Sequence, residues 1–336
     1  MPETIDKPGH PRRPSGGGSR RAGLIAALFG ILPGIGWSTG AIARDAWPLR
    51  LQQQMTRVSE VGWRLADAAD ALCRDRAAPI GAELDYIRAY APADRPQAAA
   101  TLALGDAPKV FSVIPQSPAA YGGLRAGDEV IAVNAREWRT IAAALDTPDL
   151  LADELQALIA TLPLEEPLVL TVRREGAETA IPVTRTERCA VRFVLKTGGG
   201  LEAHSDSANV AISDKLVAFT RNDDELAMVL AHELAHVLYQ DKRAMPLRMR
   251  RRAEERADLA GALLARCAGY DLGRALALFR RLGERDWLDW LGSPTHGGMK
   301  RRAARLEAVA GAEAACPMTA LPATGEARMT AEAAGR

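Results

Sequence analysis

The segment HELAH at residues 232–236 constrains this chain more than any other part of the sequence. Its two histidines are four residues apart, so on a helix they lie on one face and can present two imidazole nitrogens to one metal ion. The preceding run LAMVL, residues 226–230, is apolar and predicts that this helix is buried. Unpaired buried histidines are costly. The pattern therefore indicates a buried metal site.

The residues around this pair supply the remaining parts of a zinc hydrolase site. Glu233 directly follows the first histidine and can reach a water molecule at the metal. Catalytic zinc sites have three protein ligands, and Glu254 is the candidate for the third. Glu255 competes with it, but Glu254 is favoured because it lies four residues from Asp258 and three from the small Ala257. Asp258 can then hydrogen-bond the far nitrogen of a ligand histidine.

Composition limits the classes of protein that fit. The length of 336 residues predicts about two domains. The formal net charge is +1, so nothing in the overall balance argues for nucleic acid or for a highly charged substrate. Hydrophobic residues make up 48%, enough for a buried core.

The N-terminal residues predict export. Residues 1–21 are a disordered basic tail, and residues 22–43 carry no charge and could span a bilayer. The basic flank places the rest of the chain outside the cytoplasm. Ala41-Ile42-Ala43 resembles a signal-peptide cleavage site, so a cleaved signal peptide and an uncleaved membrane anchor both fit. Either alternative places the protein in the periplasm or on the periplasmic face of the bacterial inner membrane.

Residues 49–100 predict an N-terminal helical segment, and residues 107–188 a β-rich unit. Strands are expected at 110–113, 129–134, 168–172 and 180–183, with a helix at 148–161. The segments SPAA (117–120) and GLRAGD (123–128), followed by the strand ending at Asn134, resemble a bacterial, protease-associated PDZ domain.

The PDZ resemblance implies binding of extended or C-terminal peptides by strand addition. The carboxylate-binding loop is expected near residues 104–106. A PDZ fold that serves only as a structural spacer remains an open alternative.

Residues 200–315 predict the metal-binding domain. Short strands are expected at 209–212 and 215–219, and Asn222 is a plausible N-cap for a helix ending near Tyr239. A second helix from about Leu247 to Cys267 carries Glu254, with Gly261 allowing close helix packing. Residues 317–336 predict a disordered tail.

These motifs, together with Thr295-His296 and Arg302, resemble the HtpX- and BepA-like gluzincin peptidases of metallopeptidase family forty-eight. The resemblance implies His232, His236 and Glu254 as zinc ligands and Glu233 as the general base, with His296 and Arg302 beside the cleft. The short gap between His236 and Glu254 departs from many relatives, as does the lack of proline after His296. The many-helix membrane domain of some branches is missing.

The sequence thus predicts an α+β protein in which a PDZ-like β domain precedes a mainly helical gluzincin-type metallopeptidase domain with a small sheet. It would be a zinc metalloendopeptidase with one zinc ion per chain, acting on unfolded or extended protein substrates in envelope quality control. Substrate would lie along the strand near 209–211. Residues 22–43, if uncleaved, would bind the membrane. The alternative is a non-cleaving PDZ-bearing chaperone or scaffold with a zinc-stabilised core.

The four cysteines predict two disulfides in an exported chain. Cys73 and Cys189 flank the PDZ-like unit, and Cys267 and Cys316 flank the end of the metal-binding domain. Pairing them in this way closes a long loop in each region, although spacing alone leaves the connectivity open.

Overall fold

The computed structural model describes residues 47–241, 246–284, 299–310 and 316–322. The helices are α1 (Trp47–Ala68), α2 (Arg95–Leu102), α3 (Pro118–Gly122), α4 (Trp138–Ala143), α5 (Leu151–Thr161), α6 (Asp214–Phe219), α7 (Asp223–Tyr239), α8 (Leu247–Cys267), α9 (Leu272–Ala275), α10 (Ala277–Glu284) and α11 (Met299–Ala310). The strands are β1 (Arg76–Ala77), β2 (Ala82–Asp85), β3 (Lys109–Val113), β4 (Glu129–Val133), β5 (Arg136–Glu137), β6 (Leu168–Arg174), β7 (Ala177–Val183), β8 (Arg188–Cys189), β9 (Arg192–Lys196), β10 (Ala203–Ser205) and β11 (Asn209–Ser213). This mixture of helix and sheet agrees with the predicted α+β class.

Helix α7 lies at the centre of the larger core. It is apolar on nearly all sides, and most of its residues are buried, including Leu226, Met228 and Leu230. Helix α1 packs against it through an amphipathic face that includes Val58 and Leu65. This burial of apolar surface is the main force that holds the helices around α7.

A larger antiparallel sheet forms the β-rich unit in the order β2-β3-β4-β6-β7, with β5 paired to β4. The four strands and the helix expected from the PDZ-like pattern are present, the helix as a short 3-10 turn followed by α5. Gly123 and Gly127 have φ angles of 85° and 99°, which L residues rarely adopt, and they frame the turn into β4.

The predicted N-terminal helical segment, residues 49–100, is divided between the two cores. Helix α1 belongs to the core around α7, whereas Ala82–Asp85 forms β2 and pairs with β3. The strand was missed because its burial depends on pairing with β3, about 25 residues later, rather than on local alternation.

The segments by which the chain enters and leaves the β-rich unit lie side by side. Strand β1 pairs with β8, and the disulfide Cys73–Cys189 joins the same two segments with Cα atoms 5.3 Å apart. The carboxylate of Asp70 accepts hydrogen bonds from Arg76 and from the backbone N–H of Cys189. The second disulfide, Cys267–Cys316, ties the end of α8 to residues after α11. Both predicted pairings are confirmed.

A smaller sheet in the order β10-β11-β9 lies beside α7. Its central strand β11 is antiparallel to β10 and parallel to β9. The predicted strand at 215–219 is wrong: these residues belong to helix α6, because the hydroxyl of Ser213 accepts a hydrogen bond from the N–H of Leu216 and starts a helix.

Several predictions fall outside the described residues. They are the tail at 1–21, the uncharged segment at 22–43, the loop with His296 and residues 323–336 of the predicted tail. The prediction of disorder is wrong for residues 317–322, because Met318 is buried and the carbonyl of Pro322 accepts a hydrogen bond from Tyr239. Within the described ranges, the helices are too short or too polar to cross a bilayer.

Candidate metal centre

Helix α7 is held in place at its N-terminus by polar contacts. The side chain of Asn222 accepts a hydrogen bond from the N–H of Glu225 at 3.0 Å, as the predicted N-cap requires. The buried carboxylate of Glu225 receives two hydrogen bonds of 2.6 Å from Arg281 on α10. These contacts fix the helix that carries both histidines.

The structure brings together three side chains that can hold a metal ion. Nε2 of His232 lies 3.3 Å from Nε2 of His236, as their spacing on one helix face predicts. Helix α8 adds Glu254, whose Oε2 lies 3.3 Å from the Nε2 atom of His232 and 3.7 Å from that of His236. The three ligand atoms thus form a nearly regular triangle.

This triangle fits a zinc ion. Ligands at zinc bond lengths of 2.0–2.2 Å in a tetrahedral site lie roughly 3.3–3.6 Å apart. Two imidazoles and one carboxylate leave the fourth position open, which is the ligand set of catalytic rather than structural zinc sites. Among the described residues, this is the group of histidine, cysteine and acidic side chains that converges for metal binding.

Glycine at position 261 brings α8 this close to α7. A Cβ atom there would lie 2.8 Å from the backbone N and 2.9 Å from the Cα of His232. Real Cβ contacts of that length do not occur without movement of the backbone. The sequence prediction that Gly261 permits close packing is therefore confirmed, and the contact falls on the first histidine itself.

We expect Gly261→Ala to weaken both stability and metal binding. Alanine ordinarily favours a helix interior by up to about 1 kcal/mol over glycine. Overpacking costs about 1–3 kcal/mol, so the free energy of unfolding should fall on balance. The helix movement that relieves the overlap should also separate Glu254 from the histidines. Urea unfolding and zinc titration measure the two effects. Gly200→Ala is the control, since a Cβ at Gly200 meets no atom within 4 Å. An unchanged unfolding midpoint and unchanged zinc affinity would contradict this packing.

Each of the two histidines lies against a carboxylate that is itself held by an arginine. Nδ1 of His232 lies 3.1 Å from Oδ1 of Asp258. Arg302 on α11 is buried and donates two hydrogen bonds to Asp258, one of them 2.9 Å long from Nε to Oδ2. Asp258 thus lies where the sequence analysis expected it. Arg302 reaches the histidine only through Asp258.

The equivalent support for His236 comes from Asp241, which the sequence analysis missed. Nδ1 of His236 lies 2.9 Å from Oδ2 of Asp241, and Arg256 donates to the same carboxylate. Gln240, with a φ of 56°, ends α7 in the left-handed conformation and turns the chain back, so that the N–H of Asp241 bonds the carbonyl of His236. The one sequence signal for this role is that Asp241 is a carboxylate directly after the end of the helix that carries His236.

The carboxylates that contact the two histidines change the pKa values of their imidazoles. Burial opposes a charge on His236, but hydrogen bonds to Asp241 and Glu254 outweigh burial and raise its pKa to about 10. Burial also opposes a charge on His232, but its close contacts with Asp258 and Glu254 outweigh burial and raise its pKa. Burial would raise the pKa of Asp258, but the charge of Arg302 and the contact with His232 hold that pKa well below its usual range. The raised pKa values of both histidines indicate that the carboxylates around them favour a positive charge at these two rings.

We expect zinc binding to release protons from the histidines even at pH values above the range in which free histidines lose theirs. Zinc needs the neutral imidazole, whereas a pKa of about 10 keeps metal-free His236 protonated at pH 7–8.5. Zinc affinity should rise as the pH rises, up to about tenfold per unit for each proton released. Competition with a zinc-binding dye between pH 7 and 8.5 measures this slope. An unperturbed pair with pKa near 6.5 would give a flat profile, which would contradict the assigned contacts.

Glu233 lies half-buried on α7 beside the triangle, and Ser205 on β10 binds it. The Oγ of Ser205 donates a hydrogen bond of 2.9 Å to Oε2 of Glu233. The sequence alone does not point to Ser205, because a serine in a three-residue strand has no pattern of its own. Only the tertiary packing of β10 against α7 brings the two side chains together.

The competing carboxylate, Glu255, points elsewhere. It is partly exposed and pairs with Arg305 at 3.0 Å, whereas Glu254 faces the histidines. The structure thus places His232, His236, Glu254, Glu233 and Asp258 in one site, with Arg302 behind Asp258. His296 lies outside the described residues, and its place beside the cleft remains a prediction.

Part of the chain that forms this site is similar to a known protein family. A family model described as Peptidase family M48 matches residues 200–249, which include both histidines and Glu233 but end before Glu254. No curated protein matches the chain.

Two solved structures are partly similar to this chain. One is an HtrA-type protease AlgW with decapeptide, at 22% identity and a TM-score of 0.25, covering 34% of this chain and 30% of that chain. The other is the HtrA3 PDZ domain bound to a phage-derived ligand, at 25% identity and a TM-score of 0.23, covering 34% of this chain and 88% of that chain. This chain therefore spans less than a third of the first of these proteins.

Proposed function

We propose that this protein is a zinc-dependent endopeptidase with one zinc ion per chain. The observation that carries the proposal is the triangle of His232, His236 and Glu254 with the carboxylate of Glu233 beside it. The match of residues 200–249 to Peptidase family M48 supports the same reaction class. The gluzincin type, and a relationship to HtpX- and BepA-like peptidases, rest on the position of Glu254 on the helix after the HELAH segment.

The side chains divide the chemistry among them. His232, His236 and Glu254 would hold the zinc ion, and Asp258 and Asp241 keep the imidazoles turned toward it. A bound zinc ion supplies Lewis acidity, which makes water acidic near neutral pH and polarises a peptide carbonyl. Glu233 accepts the proton of the attacking water and donates it to the leaving amine. Arg302 and Arg256 act as positioning residues through the two aspartates.

Substrate would lie along β10 rather than along the strand at 209–211. Strand β11 is paired on both sides, with β10 and with β9, so its backbone groups are not available to a new strand. Strand β10 pairs on one side only among the described residues, and it ends at Ser205 beside Glu233. An extended peptide added to this edge would pass the general base, which favours unfolded or extended protein substrates.

The β-rich unit would contribute a site for partner peptides. A cavity of about 320 Å³ lies between β2, α5, α1 and β9. Strand β2 lines it, whereas residues 104–106, where the sequence analysis expected the carboxylate-binding loop, do not. The side-chain oxygen of Gln156 accepts a hydrogen bond from the N–H of Leu84 at 3.4 Å, and its side-chain NH2 donates one to the carbonyl of Ala82 at 3.3 Å. A peptide strand would use the same two groups.

The two disulfides support action outside the cytoplasm, since such bonds persist in oxidising compartments. We propose that the protein acts in the periplasm or on the periplasmic face of the inner membrane. Its proposed role there is envelope protein quality control. Residues 22–43 would be either a removed signal peptide or the membrane anchor.

A non-cleaving scaffold with a zinc-stabilised core is the rival function. It has no use for a carboxylate at position 233, since a structural zinc site keeps no open position. Incubation of the zinc-loaded protein with unfolded casein, followed by mass spectrometry of the products, separates the two functions. The peptidase generates fragments with new termini from internal bonds. Intact casein, with zinc bound at one equivalent, would establish the scaffold.

A further inference from the structure

We propose that Ser205 is the residue that positions the general base, so that the strand receiving the substrate also aligns Glu233. The inference rests on the proposed function and adds to it a residue that neither the sequence motif nor the family resemblance contains. Its starting point is the 2.9 Å hydrogen bond from Oγ of Ser205 to Oε2 of Glu233.

The register of the smaller sheet explains why Ser205 faces the helix. Ser205 is opposite Val210 on β11, and Ala203 is opposite Ile212. Residues directly opposite each other in an antiparallel pair lie on the same face. Val210 and Ile212 are fully buried in the core around α7, so Ser205 lies on the same face. A hydroxyl interrupts this otherwise apolar face at the point where it reaches Glu233.

The hydroxyl would limit the freedom of a flexible side chain. Glu233 has rotatable bonds that otherwise let its carboxylate turn away from the cleft, and freezing them costs free energy at each turnover. A hydrogen bond to an ionised carboxylate is stronger than one between neutral groups. By holding Oε2, Ser205 would leave Oε1 to exchange the proton between water and the leaving amine.

The edge position of β10 links this alignment to substrate. Its outer edge has no partner strand among the described residues, while Ser205 at its end holds the base. A peptide that pairs with this edge would order the strand and the carboxylate together. The consequence would fall on turnover more than on binding, because the hydroxyl contacts Glu233 rather than the peptide.

The test compares the isosteric pair Ser205→Thr and Ser205→Val, which differ only in the hydroxyl. We expect Ser205→Val to lower kcat about tenfold or more with KM unchanged, and Ser205→Thr to retain most of the turnover. Both variants should bind one zinc and unfold at similar temperatures. Ser207→Ala, at an exposed serine two residues along, is the control and should match the wild type.

Infrared spectra of the metal-free protein provide a readout that does not depend on activity. The carboxylate stretch of Glu233 is the band that Glu233→Gln removes, and it should shift in Ser205→Val but not in Ser205→Thr. Equal kcat and equal band positions for the two variants would overturn the inference. Loss of zinc or of folded structure in Ser205→Val alone would also overturn it, since Ser205 would then be structural. Full activity of Glu233→Gln would instead refute the proposed function.

Discussion

Replacing Glu233 with glutamine should reduce peptide hydrolysis by roughly 10²–10⁴-fold or more while zinc remains bound. Glutamine keeps the size of the side chain and can still accept the hydrogen bond from Ser205. It cannot take up the proton of the attacking water or return it to the amine. Because Glu233 is outside the triangle of ligand atoms, the zinc content should stay at one per chain. Casein cleavage rates and elemental analysis of the same preparation measure both effects.

Glu202→Gln is a matched control for this substitution. Glu202 pairs with Lys196 on the surface, so its neutralisation should leave turnover unchanged. Wild-type rates in Glu233→Gln would refute the assigned role of Glu233. Loss of zinc together with activity would instead make Glu233 a ligand and require a different base.

Removing the carboxylate of Glu254 should abolish stoichiometric zinc binding and with it the activity. Loss of a residue that only orients a ligand costs about 10–100-fold in metal affinity, so loss of a ligand should exceed roughly 100-fold. The two histidines would remain, but two protein ligands do not make a catalytic zinc site. Dye competition gives the affinity, and casein cleavage gives the activity.

The neighbouring glutamate provides the control for Glu254. Glu255→Ala removes a carboxylate of the same charge that pairs with the exposed Arg305, so it should retain zinc and turnover. If Glu255→Ala lost zinc and Glu254→Ala kept it, the helix face assigned to the metal would be wrong. Both substitutions remove one negative charge, so the two variants have the same net charge and differ only in which carboxylate is lost.

The parts of the fold that sequence analysis predicted are those with local signals. Helix α7 has an Asn222 cap and an apolar run, and α8 has a regular pattern that ends near Cys267. The i, i+4 spacing of His232 and His236 follows from helix geometry alone. These features could be placed without tertiary information.

The missed features depend on contacts between distant segments. Strand β2 becomes recognisable only when paired with β3, and Ser205 gains its role only when β10 packs against α7. Asp241 needs the left-handed conformation of Gln240, which a glutamine does not signal. The helix at 214–219 formed because one hydroxyl, that of Ser213, capped a run whose side chains also suit a strand.

Stepwise return of zinc to the metal-free protein tests the central claim most directly. Casein cleavage should rise in proportion to added zinc and stop rising at one equivalent per chain, because His232, His236 and Glu254 form a single site. The Glu233→Gln protein should take up the same single equivalent and remain inactive. A full cleavage rate in the metal-free protein, or a rate that does not increase with the amount of zinc bound at this site, would contradict the account.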